Sequence, residues 1–133
     1  ASFLEENIQP IASYERLNLL EGDTELLPGV QLKCVHGHTE AQMLPYFSYK
    51  GHKVLYAADL FPTYGHLPLP YVMGYDTRPL LTLEERQQYL PWLVDEEVVL
   101  LYEHDPENEC GLVQRTEKGG YRSGDTFALK NLG

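Results

Sequence analysis

The sequence has few cysteines, few basic residues and no long apolar run, and each of these shortages excludes a class of protein. Only Cys34 and Cys110 are present among its 133 residues. Two cysteines do not make a disulfide framework of the kind that stabilises small secreted domains. They could pair with each other, and two reduced thiols in an intracellular protein fit the sequence equally well.

Basic residues are outnumbered by acidic ones, 10 against 20, which gives a formal net charge of −10. An acidic surface repels phosphate backbones and anionic lipids, so we expect no nucleic-acid partner and no membrane partner. No apolar run approaches the ~20 residues that a membrane helix needs. Residues 1–7 carry no signal-peptide pattern, so we expect a cytoplasmic location. A start at Ala1 fits cleavage upstream as well as removal of an initiator methionine.

Hydrophobic residues make up 43% of the chain and charged residues 23%, which favours a folded domain with a core over a disordered chain. Residue patterns predict strands at 17–20, 29–35, 43–48, 53–58, 97–102, 111–115 and 125–130, and helices over 2–8 and 82–93. Capping boxes at Ser2–Glu5 and Thr82–Glu85 would start the two helices, and Pro10 would end the first. Gly51 predicts a hairpin turn between the strands at 43–48 and 53–58. The unbroken apolar run over 98–101 predicts a strand covered on both faces, as in layered α/β folds. The Pro- and Tyr-rich stretch over 61–80 predicts a long, packed loop.

Groups of metal-binding type follow three of the predicted strands. His38, Asp59 and His104 each lie just after the end of a strand. Ligands in layered α/β folds bind beyond the carboxyl ends of strands, so these groups can converge on one point. Histidine and aspartate suit zinc, iron or manganese, and the sequence therefore predicts a metal site made by these three residues.

At these positions the sequence resembles the metallo-β-lactamase-fold superfamily of hydrolases. The matching segments are Gly37-His38-Thr39, Ala58-Asp59 and Glu103-His104-Asp105-Pro106, which follow the family's motifs in order and spacing. The resemblance extends from about Leu27 to the C-terminus. It implies an α/β fold, the αββα sandwich, of which this chain would supply half: a mixed, mostly antiparallel sheet with a helix packed on it.

The resemblance also implies a role for each residue. His38 would bind metal one, Asp59 would bridge two metals as the catalytic carboxylate, and His104 would bind metal two. A carboxylate has two oxygens and can span two cations ~3.5–4 Å apart. The implied activity is that of a two-metal, zinc-type hydrolase that uses a metal-bridging hydroxide, with lactones or esters as the expected substrate class.

The family's motif His-x-His-x-Asp-His does not occur in these 133 residues. In family members it lies in the N-terminal half of the fold. We therefore expect residues 1–133 to be the C-terminal part of a metallo-β-lactamase-like domain, inactive on its own and holding metal weakly or not at all. The expected partner is the missing N-terminal half or a second copy of this chain in a dimer, because the sheet face made for that half would otherwise be exposed.

Weaker expectations concern the surroundings of the three ligands. Lactonase-like branches of the family place a Tyr/Phe-Asp segment and a helix after the aspartate, and by that analogy this loop would contact a small-molecule substrate. The residues expected there are His66, Tyr71, Tyr75 and Asp76. His36 and Gln42 would support the ligands from behind, although many family members have histidine at the position of Gln42.

Each residue also has an ordinary structural interpretation, which the sequence leaves open. His38 could be a satisfied turn histidine, Asp59 a cap of the following turn, and His104 a surface histidine among acidic neighbours. Asp76 and Arg78 could pair only with each other.

Three functional hypotheses follow. The first is the C-terminal portion of a hydrolase, and the second is a non-catalytic binding or dimerisation module of the same fold that uses the Pro- and Tyr-rich loop. The third is a single-metal site made by His38, Asp59 and His104. An upstream His-x-His-x-Asp-His motif would support the first and its absence the second, while zinc held by these three residues with an open water position would support the third.

Overall fold

The protein is described by a computed structural model that covers residues 4–15 and 17–133. A single sheet contains seven strands. They are β1 (Thr24–Leu27), β2 (Val30–Val35), β3 (Gln42–Tyr49), β4 (His52–Tyr56), β5 (Val99–Leu101), β6 (Cys110–Arg115) and β7 (Tyr121–Phe127). The α-helices are α1 (Glu5–Ala12) and α2 (Pro79–Asp95), and short 3-10 helices lie at Tyr64–His66 and Leu129–Asn131.

The strands lie in the sheet in chain order, from β1 at one edge to β7 at the other. Every neighbouring pair is antiparallel except β4 and β5, which are parallel. Parallel neighbours need a crossover connection, and here it contains α2. The mixed sheet with a helix packed on it confirms the α/β fold expected from the sequence.

Apolar side chains cover both faces of the sheet at its centre. On one face, Val98 and Leu100 lie in a buried cluster with Leu90 and Leu93 of α2. On the other face, Val99 packs with Val54, Cys110 and Leu132 in a second, smaller cluster. The apolar run over 98–101 is therefore covered on both sides, as predicted.

The hairpin between β3 and β4 turns at two residues. Lys50 and Gly51 have φ values of 51° and 83°, and two positive φ values in succession match the twist of the flanking strands. This turn was anticipated from its glycine. The strands predicted at 29–35, 43–48, 53–58, 97–102 and 111–115 are also confirmed, with small shifts of their bounds.

The beginning of α2 differs from the prediction. The predicted capping box from Thr82 to Glu85 is wrong, because the helix already starts at Pro79. Proline suits the first helical turn, where its missing N–H has no intrahelical partner to lose. Thr82 is buried within the helix, and α2 continues through Pro91 to Asp95.

The chain termini also differ. The strand predicted at 17–20 is absent from the described residues, and the edge strand forms later, at β1, where Asp23 accepts a hydrogen bond from the Cys34 backbone N–H at 2.7 Å. Pro10 lies inside α1 rather than ending it, and Ser2 of the predicted cap lies outside the described residues. The last predicted strand, 125–130, both begins and ends too late: β7 runs from Tyr121 to Phe127, where it pairs along β6.

Among the described residues, no helix has the length and apolar character needed to cross a membrane.

Candidate metal centre

The parallel pair of strands places Asp59 and His104 at one edge of the sheet. β4 and β5 end side by side, and the Ala57 N–H donates to the Leu101 carbonyl at 2.9 Å just beyond them. Ala58 then adopts a φ of 41°, a left-handed conformation that alanine rarely takes. Strain of this kind persists where the surrounding structure imposes it, and here it directs the chain into the turn that presents Asp59.

Two imidazoles face the two oxygens of a single carboxylate. Asp59 Oδ1 lies 3.1 Å from His104 Nε2, and Asp59 Oδ2 lies 3.4 Å from His38 Nε2. The Gln42 side-chain amide donates to Oδ2 at 3.0 Å. The structure therefore brings together the three residues predicted as metal ligands and places Gln42 beside them; their roles as ligands stay predictions.

The ring of His38 is held from its far side. Its Nδ1 lies 2.8 Å from Asp76 Oδ1, and the Asp76 side chain is only 1% exposed. Tyr75 contacts the ring edge-on, with the ring centroids 5.9 Å apart. A carboxylate on Nδ1 favours the tautomer that carries its proton there, which leaves the lone pair of Nε2 directed at Asp59.

This arrangement fits a divalent metal. A neutral His38 with its proton on Nδ1 presents an acceptor at Nε2 to the acceptor Asp59 Oδ2, a contact that a cation between them would turn into an attraction. Bond lengths of ~2.0–2.2 Å in a tetrahedral zinc shell put two ligand atoms roughly 3.4 Å apart. The observed separations of 3.1 and 3.4 Å lie close to that value. The side chains of Asp59 and His104 are 20% and 50% exposed, so the site opens to solvent.

Hydrogen bonds and close packing with the first turns of α2 fix the turn that carries His38. The buried Glu85 carboxylate accepts hydrogen bonds from the backbone N–H groups of His36 at 2.5 Å and Gly37 at 3.1 Å. A Cβ at Gly37 would lie 2.4 Å from the Thr82 backbone nitrogen, so only glycine fits. Thr77 donates from its backbone N–H to the His38 carbonyl at 3.0 Å.

Hydrogen bonds to backbone groups also fix the turn that carries His104. Its backbone N–H donates to the Pro62 carbonyl at 3.1 Å. Asp105 accepts hydrogen bonds from the N–H groups of Glu107 and Asn108, at 3.0 and 2.7 Å, and from the N–H of Tyr64, at 2.8 Å. These backbone hydrogen bonds hold the pKa of Asp105 below its usual value, although burial opposes them. His104 therefore lies in a turn whose conformation is fixed by hydrogen bonds.

The loop after Asp59 is organised around Arg86, whose side chain is almost fully buried. Its guanidinium donates to the backbone carbonyls of His66, Pro68 and Tyr71 and lies over the Phe61 ring. Burial lowers the pKa of Arg86 to about 10, against the nearby charge of Asp76, so the group stays cationic at neutral pH. No motif or spacing in the sequence distinguishes Arg86 from its neighbours.

The residues predicted to contact a substrate occupy different positions. Tyr71 and Tyr75 are 58% and 73% exposed, so both can meet a ligand. His66 is half-buried, with Nδ1 at 2.7 Å from Thr63 Oγ1. Asp76 lies behind His38 instead of facing solvent.

His36 lies outside the cluster around Asp59. Its Nδ1 contacts Glu40 at 2.7 Å. Arg78 also pairs with Glu40, so the pairing of Asp76 with Arg78 that the sequence left open does not form. His36 Nε2 lies 3.8 Å from the Cys34 sulfur, but burial raises the pKa of Cys34, as it raises that of Cys110 to about 11. Both thiols are free and in the protonated form at neutral pH, which argues against a cysteine nucleophile.

Sequence reasoning missed two acidic residues of this region. Glu103 has a carboxylate oxygen in one group with ligand atoms of Asp59 and His104, all within 4.8 Å of one another. Glu85 was interpreted as part of a helix cap, whereas it binds the turn before His38. For Glu103, its place beside a predicted ligand was a usable signal; for Glu85, no local pattern pointed to a partner 48 residues away.

Comparisons with known proteins find relatives by structure. No protein-family model and no curated protein sequence matches the chain. Among solved structures, it is similar to a probable metal-dependent hydrolase from Staphylococcus aureus, with 23% identity, a TM-score of 0.70 and coverage of 85% of this chain and 42% of that one. AidC, a dizinc quorum-quenching lactonase, shares 21% identity with a TM-score of 0.71 over 92% of this chain and 41% of its own.

A third structure is the hydrolase AbOPH of the beta lactamase superfamily. It shares 15% identity with this chain, with a TM-score of 0.74 over 91% of this chain and 42% of its own. The chain thus spans less than half the length of each of these three proteins. At such identities the likeness establishes the fold.

Proposed function

Since this chain has the metallo-β-lactamase fold over the stretch that it spans, we propose that it is the C-terminal part of a two-metal hydrolase. The observation that carries the proposal is the Asp59 carboxylate, whose two oxygens each face the Nε2 of a different histidine. Of the similar solved structures, one is a probable metal-dependent hydrolase and another is a dizinc quorum-quenching lactonase.

The chain's own residues divide the work of such a site. A pair of divalent metals, zinc by analogy with the dizinc neighbour, would supply an activated water and polarise a carbonyl or phosphoryl oxygen. Asp59 would hold both metals through its two oxygens. His38 would bind one metal, with its ring oriented by Asp76. His104 would bind the other metal from a turn that is held by backbone hydrogen bonds. Gln42 would hold Asp59 in place by its amide hydrogen bond.

The substrate would be a small molecule that enters beside His38. Tyr75 contacts the His38 ring edge-on and is largely exposed. Tyr71 lies in the loop whose carbonyls accept hydrogen bonds from Arg86. An exposed aromatic ring next to a ligand suits the apolar part of a lactone or ester. We propose that substrate class because one neighbour is a lactonase. His66 would shape the same part of the site from behind.

A complete site needs further donors, and exposed apolar residues support a partner surface. Leu4, Ile8 and Ile11 of the α1 region are 48%, 43% and 58% exposed and lie at spacings of four and three, on one side of a helix. Leu19 and Leu27 are 83% and 60% exposed. We propose that the N-terminal half of the fold covers this region, and a second copy of the chain is the alternative occupant. A cytoplasmic location stays a prediction.

The hydrolase proposal predicts activity only for the completed fold. The chain alone, and the chain combined with the polypeptide encoded directly upstream, are assayed against an N-acyl homoserine lactone, an aryl ester and a phosphotriester. We expect no turnover by the chain alone. We expect turnover by the combination, lost in a chelator and restored by zinc or manganese.

Two results would count against this assignment. If the upstream polypeptide has no His-x-His-x-Asp-His motif and the combination binds without turnover, the chain is a non-catalytic binding or dimerisation module. If light scattering shows that the chain by itself is a well-folded monomer that binds no upstream polypeptide, the completion of the fold is wrong.

Asp59→Asn tests the metal centre directly. An amide keeps the shape of the carboxylate but removes its charge and its ability to span two cations, so zinc affinity is expected to fall by roughly tenfold or more. Competition with a chromophoric chelator measures the change. Asp125→Asn, at an exposed aspartate of β7, is the matched control and should bind zinc as the unmodified chain does.

A further inference from the structure

Glu103 lies where it can add a donor to the metal centre. One carboxylate oxygen of Glu103, one of Asp59 and a ring nitrogen of His104 all lie within 4.8 Å of one another. Glu103 and His104 follow β5 directly, and Asp59 follows the parallel neighbour β4. The sheet therefore fixes the positions from which all three side chains start.

A neighbouring side chain places Glu103 beside this group. Tyr56, the last residue of β4, lies close enough to Glu103 that burial, together with that carboxylate, raises the pKa of its phenol. The charge of Asp59 acts on Tyr56 in the same direction. Glu103, although exposed, thus lies on the Asp59 side of the strand end.

The charges of this group favour a cation. Two carboxylates that approach one imidazole repel each other, and a divalent cation between them removes that repulsion. Two carboxylate oxygens and one histidine nitrogen form a donor set that suits zinc or manganese. Both negative charges would then be balanced by the two positive charges of a single ion.

We propose that Glu103 is a third ligand of the metal held by Asp59 and His104. This inference rests on the proposed metal centre and adds a residue to which the family resemblance assigned no role. It gives the chain a half-site built from its own residues, able to hold one divalent ion before the rest of the fold is present. His38 belongs to the other side of Asp59 and contributes little to this ion.

The proposal is tested on the 133-residue chain with zinc as the probe. Chelator competition gives the affinity, and elemental analysis after gel filtration gives the stoichiometry. The unmodified chain is expected to bind one zinc, more weakly than a complete two-metal site. Glu103→Gln and His104→Ala are each expected to lower the affinity by roughly tenfold or more, whereas His38→Ala changes it far less.

Two matched variants separate coordination from other roles of Glu103. Glu107→Gln removes an exposed charge from the same turn, so an unchanged affinity there excludes a general effect of charge. Tyr56→Phe removes the neighbouring phenol, and an unchanged affinity excludes an effect of Glu103 that acts through Tyr56. Circular dichroism in chelator is expected to show that every variant keeps the metal-free fold.

The outcomes distinguish this inference from the proposed function. If Asp59→Asn and His104→Ala abolish zinc binding while Glu103→Gln binds as the unmodified chain does, Glu103 is not a ligand and the metal centre stands. If Asp59→Asn and His104→Ala also leave zinc affinity unchanged, the metal centre itself is wrong. An equal loss in Glu107→Gln would reduce the role of Glu103 to surface charge.

Discussion

Replacing Arg86 by alanine is expected to lower the free energy of unfolding by on the order of 4 kcal/mol. The guanidinium is buried and donates to three backbone carbonyls of the loop after Asp59, those of His66, Pro68 and Tyr71. Alanine would leave these carbonyls without donors and would open a cavity beside Phe61. The loss combines unmade hydrogen bonds to a charged group with lost packing, and both mechanisms produce large effects.

Urea unfolding in chelator, followed by fluorescence, measures the change. Trp92 is the sole tryptophan and packs edge-on against Tyr46 and Tyr89, so its emission reports the packing of α2 on the sheet. Arg86→Lys keeps a charge and one donating group, and it should lose less stability than Arg86→Ala. The control is Arg122→Ala, at an exposed position of β7, where little change is expected. An Arg86→Ala protein as stable as the unmodified chain would rule out this account of the loop.

Replacing Glu85 by alanine should cost about 3 kcal/mol of stability. The carboxylate is buried, 8% exposed, and binds the N–H groups of His36 and Gly37. Both donors lie where the turn packs against α2, so water cannot readily replace the lost acceptor. Glu85→Gln keeps one oxygen acceptor without the charge, and an intermediate loss is expected.

Glu84 provides a matched control because it is the preceding residue of α2 and is exposed. Glu84→Ala should leave the urea midpoint nearly unchanged. Amide hydrogen exchange by NMR gives a residue-level readout: the amides of His36 and Gly37 should exchange faster in Glu85→Ala, while those at the centre of β5 should follow the change in global stability. If the amides of His36 and Gly37 exchange at the same rate in Glu85→Ala and Glu84→Ala, the Glu85 carboxylate does not hold this turn.

The local parts of the fold were predictable from the sequence. Alternation of apolar and polar residues, an apolar run and a glycine turn are properties of neighbouring residues, so β2 to β6 were located before the structure was known. The edge strand β1 was not located, because three of its four residues are exposed and it therefore lacks the alternation of buried and exposed residues that marks a strand. The start of α2 was misplaced for a different reason: the glutamate of the supposed cap serves a distant turn.

The sequence by itself determined which residues of the candidate metal centre come together. His38, Asp59 and His104 each follow a strand, and ligands in layered α/β folds bind beyond the carboxyl ends of strands. In the structure β4 and β5 run parallel, so their ends share one edge. The order of the motifs was enough to identify these residues, because a residue's type and its position after a strand can be read from the neighbouring sequence.

Only the tertiary structure decided what surrounds that centre. Asp76 lies behind His38, Glu85 and Arg86 fasten the two flanking segments, and Glu103 joins Asp59 and His104. These contacts link side chains to backbone groups or to other side chains many residues away. Such contacts follow no sequence period and no fixed spacing. They form when packed helices, strands and loops bring polar groups from distant parts of the chain within hydrogen-bonding distance of each other.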